Sequence, residues 1–219
     1  MTTTTRPITA GTSTVARRAR LGTVGAALWA LSSGVWAVAN IEGQERGSLT
    51  FVAVAVSWWV FVVLPPALLV AGHAALRAAL GPAAGRVGGA GVWTAATGLA
   101  AMGLGIGIEV VSFTTGGGEV ALGHAILLVG FLVSILGALL TGITVVRRRR
   151  DLASRLAGWL LVLALPLGIG IGMLGSVLAP ENDAFFWAAL TVPTGVAWLL
   201  LGRSLGAEDR PAGAGAVTA

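Results

Sequence analysis

Cysteine, lysine and tyrosine are absent from the 219 residues. Without cysteine there are no disulfides, no thiolate metal ligands and no thiol nucleophile. Without lysine, all 14 basic residues are arginine, which beside so much alanine, glycine and valine reads as the codon bias of a GC-rich genome. Charge is scarce as well: 11% of the residues are charged, against about 25% in a soluble domain. That is less than half of what a watery surface needs, so the solvent for most of this chain is lipid. The formal charge of +5 does not point to nucleic acid, because the arginines lie between apolar runs and not within a polar or aromatic binding surface. No nucleic-acid partner is expected. Also missing are GxSxG, HExxH and Walker motifs, and any nucleophile with an identifiable base. An intramembrane enzyme is the weakest of the functional readings, and neither a cofactor nor a metal is expected.

What is present is apolar length. Six segments, approximately 21–39, 50–72, 88–111, 120–146, 156–178 and 184–202, each approach the roughly 20 residues that carry a helix across about 30 Å of hydrocarbon. They lack the period-two alternation of barrel strands, and a lipid-exposed backbone must satisfy its own hydrogen bonds, so helices are the only candidates. The expected fold is all-α, a polytopic transmembrane bundle of six spans occupying residues 21–202. Residues 1–20 are expected to be a disordered basic tail and 203–219 a disordered carboxyl-terminal tail.

The arginines give the bundle a direction. Thirteen of the 14 fall in the amino-terminal tail, in alternate connections (Arg77 and Arg86, then Arg147 to Arg155) or in the carboxyl tail. Arg46 is the exception, and it shares its side with Glu42, Glu45, Glu119, Glu181 and Asp183. The positive-inside rule places both termini in the cytoplasm of a multi-pass protein of the cell (inner) membrane. Arg147, Arg148, Arg149 and Arg150 then serve as a stop-transfer anchor or as a site for anionic lipid at the cytoplasmic face. The first segment ends in Ala37-Val38-Ala39, a small-residue pattern of the signal-peptide type, but its apolar length favours a retained span. Arg20-Leu21-Gly22, Arg86-Val87-Gly88 and Arg155-Leu156-Ala157 open alternate segments, a faint sign of a two-helix repeat.

Lipid offers no hydrophobic drive for helices to meet, so small residues must let their backbones approach. Gly103 and Gly107 in the third segment, and Gly168, Gly172 and Ser176 in the fifth, recur every four residues. The fourth segment has Gly123, Gly130 and Gly137 at seven-residue spacing. These faces predict that segments three, four and five form the tight centre. Pro65-Pro66, Pro166 and Pro193 fall inside spans, where each removes a donor and frees a carbonyl, so a kink is expected at each.

One carboxylate stands within an apolar run. Glu109 ends the third segment and His124 opens the fourth, at similar depth across the short linker TTGGGE. Ionisable groups in membrane spans are functional candidates. Glu109, His124 and Glu119 are therefore the candidate proton or cation site, with Glu109 expected to reach His124 directly or through one water. The bland alternative leaves Glu109 in outer water and His124 interfacial. His73, the other histidine, ends the second segment on the opposite side, too far away for both to hold one metal or haem.

The pattern resembles the small six-helix membrane proteins encoded in GC-rich bacterial genomes. The resemblance rests on size, topology and composition and carries no site or activity. Two function classes follow from the residues. One is a non-catalytic accessory, assembly or sensing component working through helix contacts, with lipid and a membrane-protein or homo-oligomeric partner. The other is a small-solute or proton-coupled transporter, or its membrane subunit. A transporter needs polar groups near the bilayer midplane, and only Ser32, Ser33, Thr97, Ser134 and freed carbonyls stand there.

Overall fold

The computed structural model describes residues 10–38, 44–180 and 184–208. Helix α1 covers Ala10–Val38. Helix α2 (Leu49–Trp58) runs through a π turn, Trp59–Val63, into α3 (Leu64–Leu80). A 3₁₀ turn at Gly81–Ala84 leads to α4 (Gly85–Thr115), followed by α5 (Ala121–Arg148), α6 (Leu152–Val162), α7 (Ala164–Leu178) and α8 (Ala184–Glu208). The described residues thus make an all-α, membrane-type fold. Four helical stretches are long and apolar enough to cross a bilayer: Thr14–Val38, Leu49–Thr115, Ala121–Arg148 and Ala184–Gly206. The bent pair α6 and α7 makes a fifth if it is one span.

The Leu49–Thr115 stretch doubles back on itself. Gly81 and Gly85 take positive φ values of 51° and 63°, which glycine adopts without strain, and they bracket the 3₁₀ turn. Beyond the turn, Gly89 lies against Arg77, Gly103 against Pro66 and Gly107 towards Val63, the pairing of an antiparallel hairpin. The described residues therefore form six rods, with α2–α3 one rod and α6–α7 another. Each packs on its chain neighbours. Helix α1 meets α3, α3 meets α4, α4 meets α5, α5 meets α6, and α6 and α7 meet α8, which closes the ring on α1.

The prolines shape two rods differently. Pro65 and Pro66 cannot bond to the carbonyls of Phe61 and Val62, and the rod absorbs this in the π turn at Trp59–Val63 without breaking. The ring of Pro166 crowds the carbonyl four residues back, Val162. There the rod does break, and α7 leaves α6 at 63°. Of α7 only Ala164 and Gly175 are buried. Helix α8 continues through Pro193.

The closest approach is between α4 and α5, and it uses glycines seven apart on both. Gly91, Gly98 and Gly105 interleave with Gly123, Gly130 and Gly137. A Cβ added at Gly98 would enter the backbone of Ser134 and Gly130, one at Gly130 the backbone of Met102, and one at Gly137 the backbone of Ala95. Seven residues are two turns, so the contact repeats along one seam of an antiparallel pair. The glycines spaced by four do not form this seam. Gly103 packs on Pro66 of α3 and Gly168 on the Ala189 carbonyl of α8. A Cβ at Gly107 would meet only Val63, at 3.9 Å, and one at Gly172 would meet nothing within 4 Å. Ser176 is exposed and returns its hydroxyl to the Met173 carbonyl at 2.8 Å. Segments three and four do meet, and four packs on the first half of five through Gly142 and Gly158. What is corrected is the role of the four-spaced glycines, because spacing marks a face but not its neighbour and the bend turns α7 away from α5.

Both tails are shorter than expected. Helix α1 starts at Ala10 and takes in Arg17, Arg18 and Arg20, because Val15 and Ala19 pack on the core. Helix α8 extends past Arg203 to Glu208 with Leu205 buried. The outermost tail positions, together with Glu42, Glu181 and Asp183, lie outside the described residues.

Interhelical contacts sort the residues into layers. Gly22 with Gly72, Gly88 with Thr144, Gly142 with Gly158 and Gly202 with Thr23 tie the arginine-bearing halves together at one end. There the Ser154 hydroxyl donates to Ser204 Oγ at 2.9 Å. At the other end, rings from α1, α2, α4 and α8 cluster. Trp36 stacks on Trp58 at 4.9 Å and meets Trp187 at 4.4 Å, and Trp58 meets Phe113 edge-on at 6.0 Å.

Asp151 starts α6 at the arginine end by accepting the Ser154 backbone N–H at 2.8 Å. Slight burial pushes its carboxyl up. The Ser154 N–H and side chain and the Arg149 cation outweigh this and hold it below its ordinary 3.8. A depressed folded value means that the cap stabilises fully above pH 3.8 and is lost as the pH falls through the folded value. Asp151→Ala should therefore cost about 1 kcal/mol at neutral pH, and thermal unfolding in detergent should show the difference from the parent shrinking in acid.

Candidate functional site at the bundle centre

Glu109 occupies the last turns of α4, 9% exposed. Gly116, at φ 97°, ends the helix, and its N–H and that of Gly117 return to the Ser112 carbonyl. The chain then reaches Val120, the extended residue that caps α5. The Val120 N–H points back at Glu109 and donates to its two carboxylate oxygens at 3.3 and 3.2 Å. Gly123 makes the room: a Cβ there would lie 3.1 Å from Glu109 Oε1. A carboxylate at the carbonyl end of α4 is poorly placed, but the same group beside the amino end of α5 is favoured. Glu109 thereby pins the loop and caps the next helix.

His124 takes a different partner. Its Nδ1 lies 3.2 Å from Glu119 Oε1, with side chains 48% and 64% exposed. The structure brings His124 to Glu119 and Glu109 to Val120, and forms no direct Glu109–His124 pair. The geometric reason is that the Val120 N–H, an orphan donor of the helix start, is nearer to Glu109 than the imidazole is. Among the described residues no group of three His, Asp or Glu is placed to hold a metal.

The chemistry that sequence reasoning missed is central. All six rods line one cavity, through Trp29 of α1, His73 of α3, Met102 of α4, Ser134 of α5, Leu161 of α6 and Thr194 of α8, among others. The space open to the centre of a water-sized sphere is about 30 Å³. His73 is 2% exposed. Its Nδ1 lies 2.9 Å from the Leu69 carbonyl oxygen, and its ring centroid lies 4.1 Å from that of Trp198. The indole N–H of Trp29 donates to Thr194 Oγ1 at 3.3 Å.

His73 reads from the sequence as the end of the second segment. Helix α3 instead continues to Leu80, where the Arg77 guanidinium donates to the Gly81 carbonyl at 3.0 Å and closes the last turn. That leaves His73 two turns inside the helix. One signal was available: Leu69, His73, Leu76 and Leu80 are spaced by three and four, which puts the histidine on the buried stripe.

The cavity lies among the six rods. The tryptophan cluster stands at one end, and Leu76, Leu80, Leu201 and Leu205, all buried, stand towards the other. No protein-family model, curated protein or solved structure matches the chain. Its function has to be read from its own geometry.

Proposed function

We propose that the protein is a six-span component of the cell (inner) membrane, with the arginine end in the cytoplasm, that works through helix contacts as an accessory, assembly or sensing element. Catalysis and transport have no part in this reading. The observation that carries it is the tightly packed core. Among the described residues six rods pack around about 30 Å³, room for one or two waters, with a cluster of aromatic rings towards one end and buried leucines towards the other. Glycine contacts between backbones hold the ring tight, and Arg147 to Arg150 meet anionic headgroups at the cytoplasmic face.

Two experiments test it. Reporters fused after Gln44 and Gly117 should read outside, and those after Arg86 and Arg150 inside; one reversed position ends the six-span scheme. Sealed liposomes containing the purified protein should hold an imposed pH gradient, and exclude small solutes in swelling assays, as well as protein-free liposomes do. Protein-dependent decay or swelling would replace this reading with the transport one.

A further inference from the structure

The fold leaves a lone pair of His73 unused. A carbonyl only accepts, so the Leu69 contact at 2.9 Å places the ring hydrogen on Nδ1. In the neutral ring Nε2 is then an acceptor, and it has no hydrogen-bond partner among the described residues. The other polar groups of the cavity have spent their hydrogens. The Ser134 hydroxyl donates to the Phe131 carbonyl at 2.8 Å. The Thr194 hydroxyl donates to the carbonyls of Leu190 and Thr191 at 3.2 and 3.3 Å, and the Trp29 N–H is taken by Thr194 Oγ1. What these lining residues still offer is acceptors, His73 Nε2, Ser134 Oγ and Thr194 Oγ1, while their own N–H and O–H groups are already donated.

We infer that this cavity is a binding site for one small molecule that binds by donating hydrogen bonds, with His73 Nε2 as its main acceptor. The space limits the ligand to about the size of water. A carboxylate or carbonyl ligand would bring acceptors to a site without donors. Hard metal cations prefer six or more oxygen ligands, and here there are two hydroxyl oxygens. Water and ammonium, with its conjugate base ammonia, are donors of that size. Water offers two hydrogens and leaves its own lone pairs unmet. Ammonium offers four and needs no donor in return, and the rings of Trp29, Phe131 and Trp198 in the wall favour a cation. A bound donor need not cross the membrane, so the site does not rest on the proposed function.

The test is nitrogen NMR of ¹⁵N-histidine-labelled protein in lipid nanodiscs. The chain has two histidines, and His124→Gln, an exposed change outside the cavity, leaves only the signals of His73. Every cavity side chain stays native, so no folding defect can mimic the result. Nδ1 should appear protonated and Nε2 as a hydrogen-bonded acceptor. A Nε2 signal that ignores added ammonium chloride identifies water. A saturable shift with ammonium chloride, absent with sodium or tetramethylammonium chloride, identifies ammonium. A free, unbonded Nε2, or a hydrogen on Nε2 with Nδ1 bare, overturns the site. Liposome flux does not enter this readout, so it can fail or succeed separately from the proposed function.

Discussion

Gly98→Ala should destabilise the bundle by about 1–3 kcal/mol or more, although it adds a single methyl. The new Cβ has no soft neighbour to push, because it enters the backbone of α5 at Ser134 and Gly130. Gly130→Ala and Gly137→Ala strike the backbone of α4 from the other side and should behave alike. Relief requires separating the two helices along the whole seam, which loses the contacts that hold them. Gly172→Ala, where a Cβ meets nothing within 4 Å, is the matched control and should leave stability unchanged. Thermal unfolding in detergent micelles measures both. Equal effects at Gly98 and Gly172 would mean that the seam is misplaced.

Trp29→Ala should cost about 3–5 kcal/mol, the largest effect of any single truncation in the core. Trp29 is 2% exposed and among the largest fully buried side chains. It is the contribution of α1 to the cavity wall, and its indole N–H holds Thr194 of α8. Truncation therefore opens a void and weakens the junction where the ring closes. Trp59→Ala, at a side chain 44% exposed on the neighbouring rod, should cost far less. The pair can be compared by the fraction of protein that stays monodisperse on heating. The same dependence on Trp29 implies that α1 is part of the mature bundle, so a tag at its amino end should survive on the purified protein.

Much of the architecture was legible because the bilayer imposes it. A lipid-facing backbone has to be helical, so the described part of each apolar segment is almost wholly helical, and the break after Val162 follows from Pro166. Helix ends were legible only where lipid sets them. Alanine and arginine continue a helix into water, so α1, α3 and α8 run past the apolar stretch, and the extension of α3 is what carried His73 from an apparent interface into the core. Glycine spacing was legible as a face but not as a pairing, since nothing local says whether Gly98 or Gly103 meets α5. That Glu109 faces the bundle near the end of α4 was readable. Its partner was not, because the competitor to His124 was a backbone N–H, a group that every residue but proline carries and that no motif reveals.

Closure of the ring between α1 and α8 underlies the packed core, the cavity and its ligand site. The chain has no cysteine, so an engineered pair reports without background. A Cβ at Gly195 lies 3.0 Å from that of Ala30, within easy relaxation of the roughly 3.5–4.5 Å that a disulfide needs. Oxidation of Ala30→Cys/Gly195→Cys protein in native membranes should give an intramolecular bond, seen as a faster-migrating, reducible monomer and independent of protein density. Each single-cysteine variant should stay unlinked. Failure of the pair to close, or its capture only as a dimer, would contradict the ring and the cavity built on it.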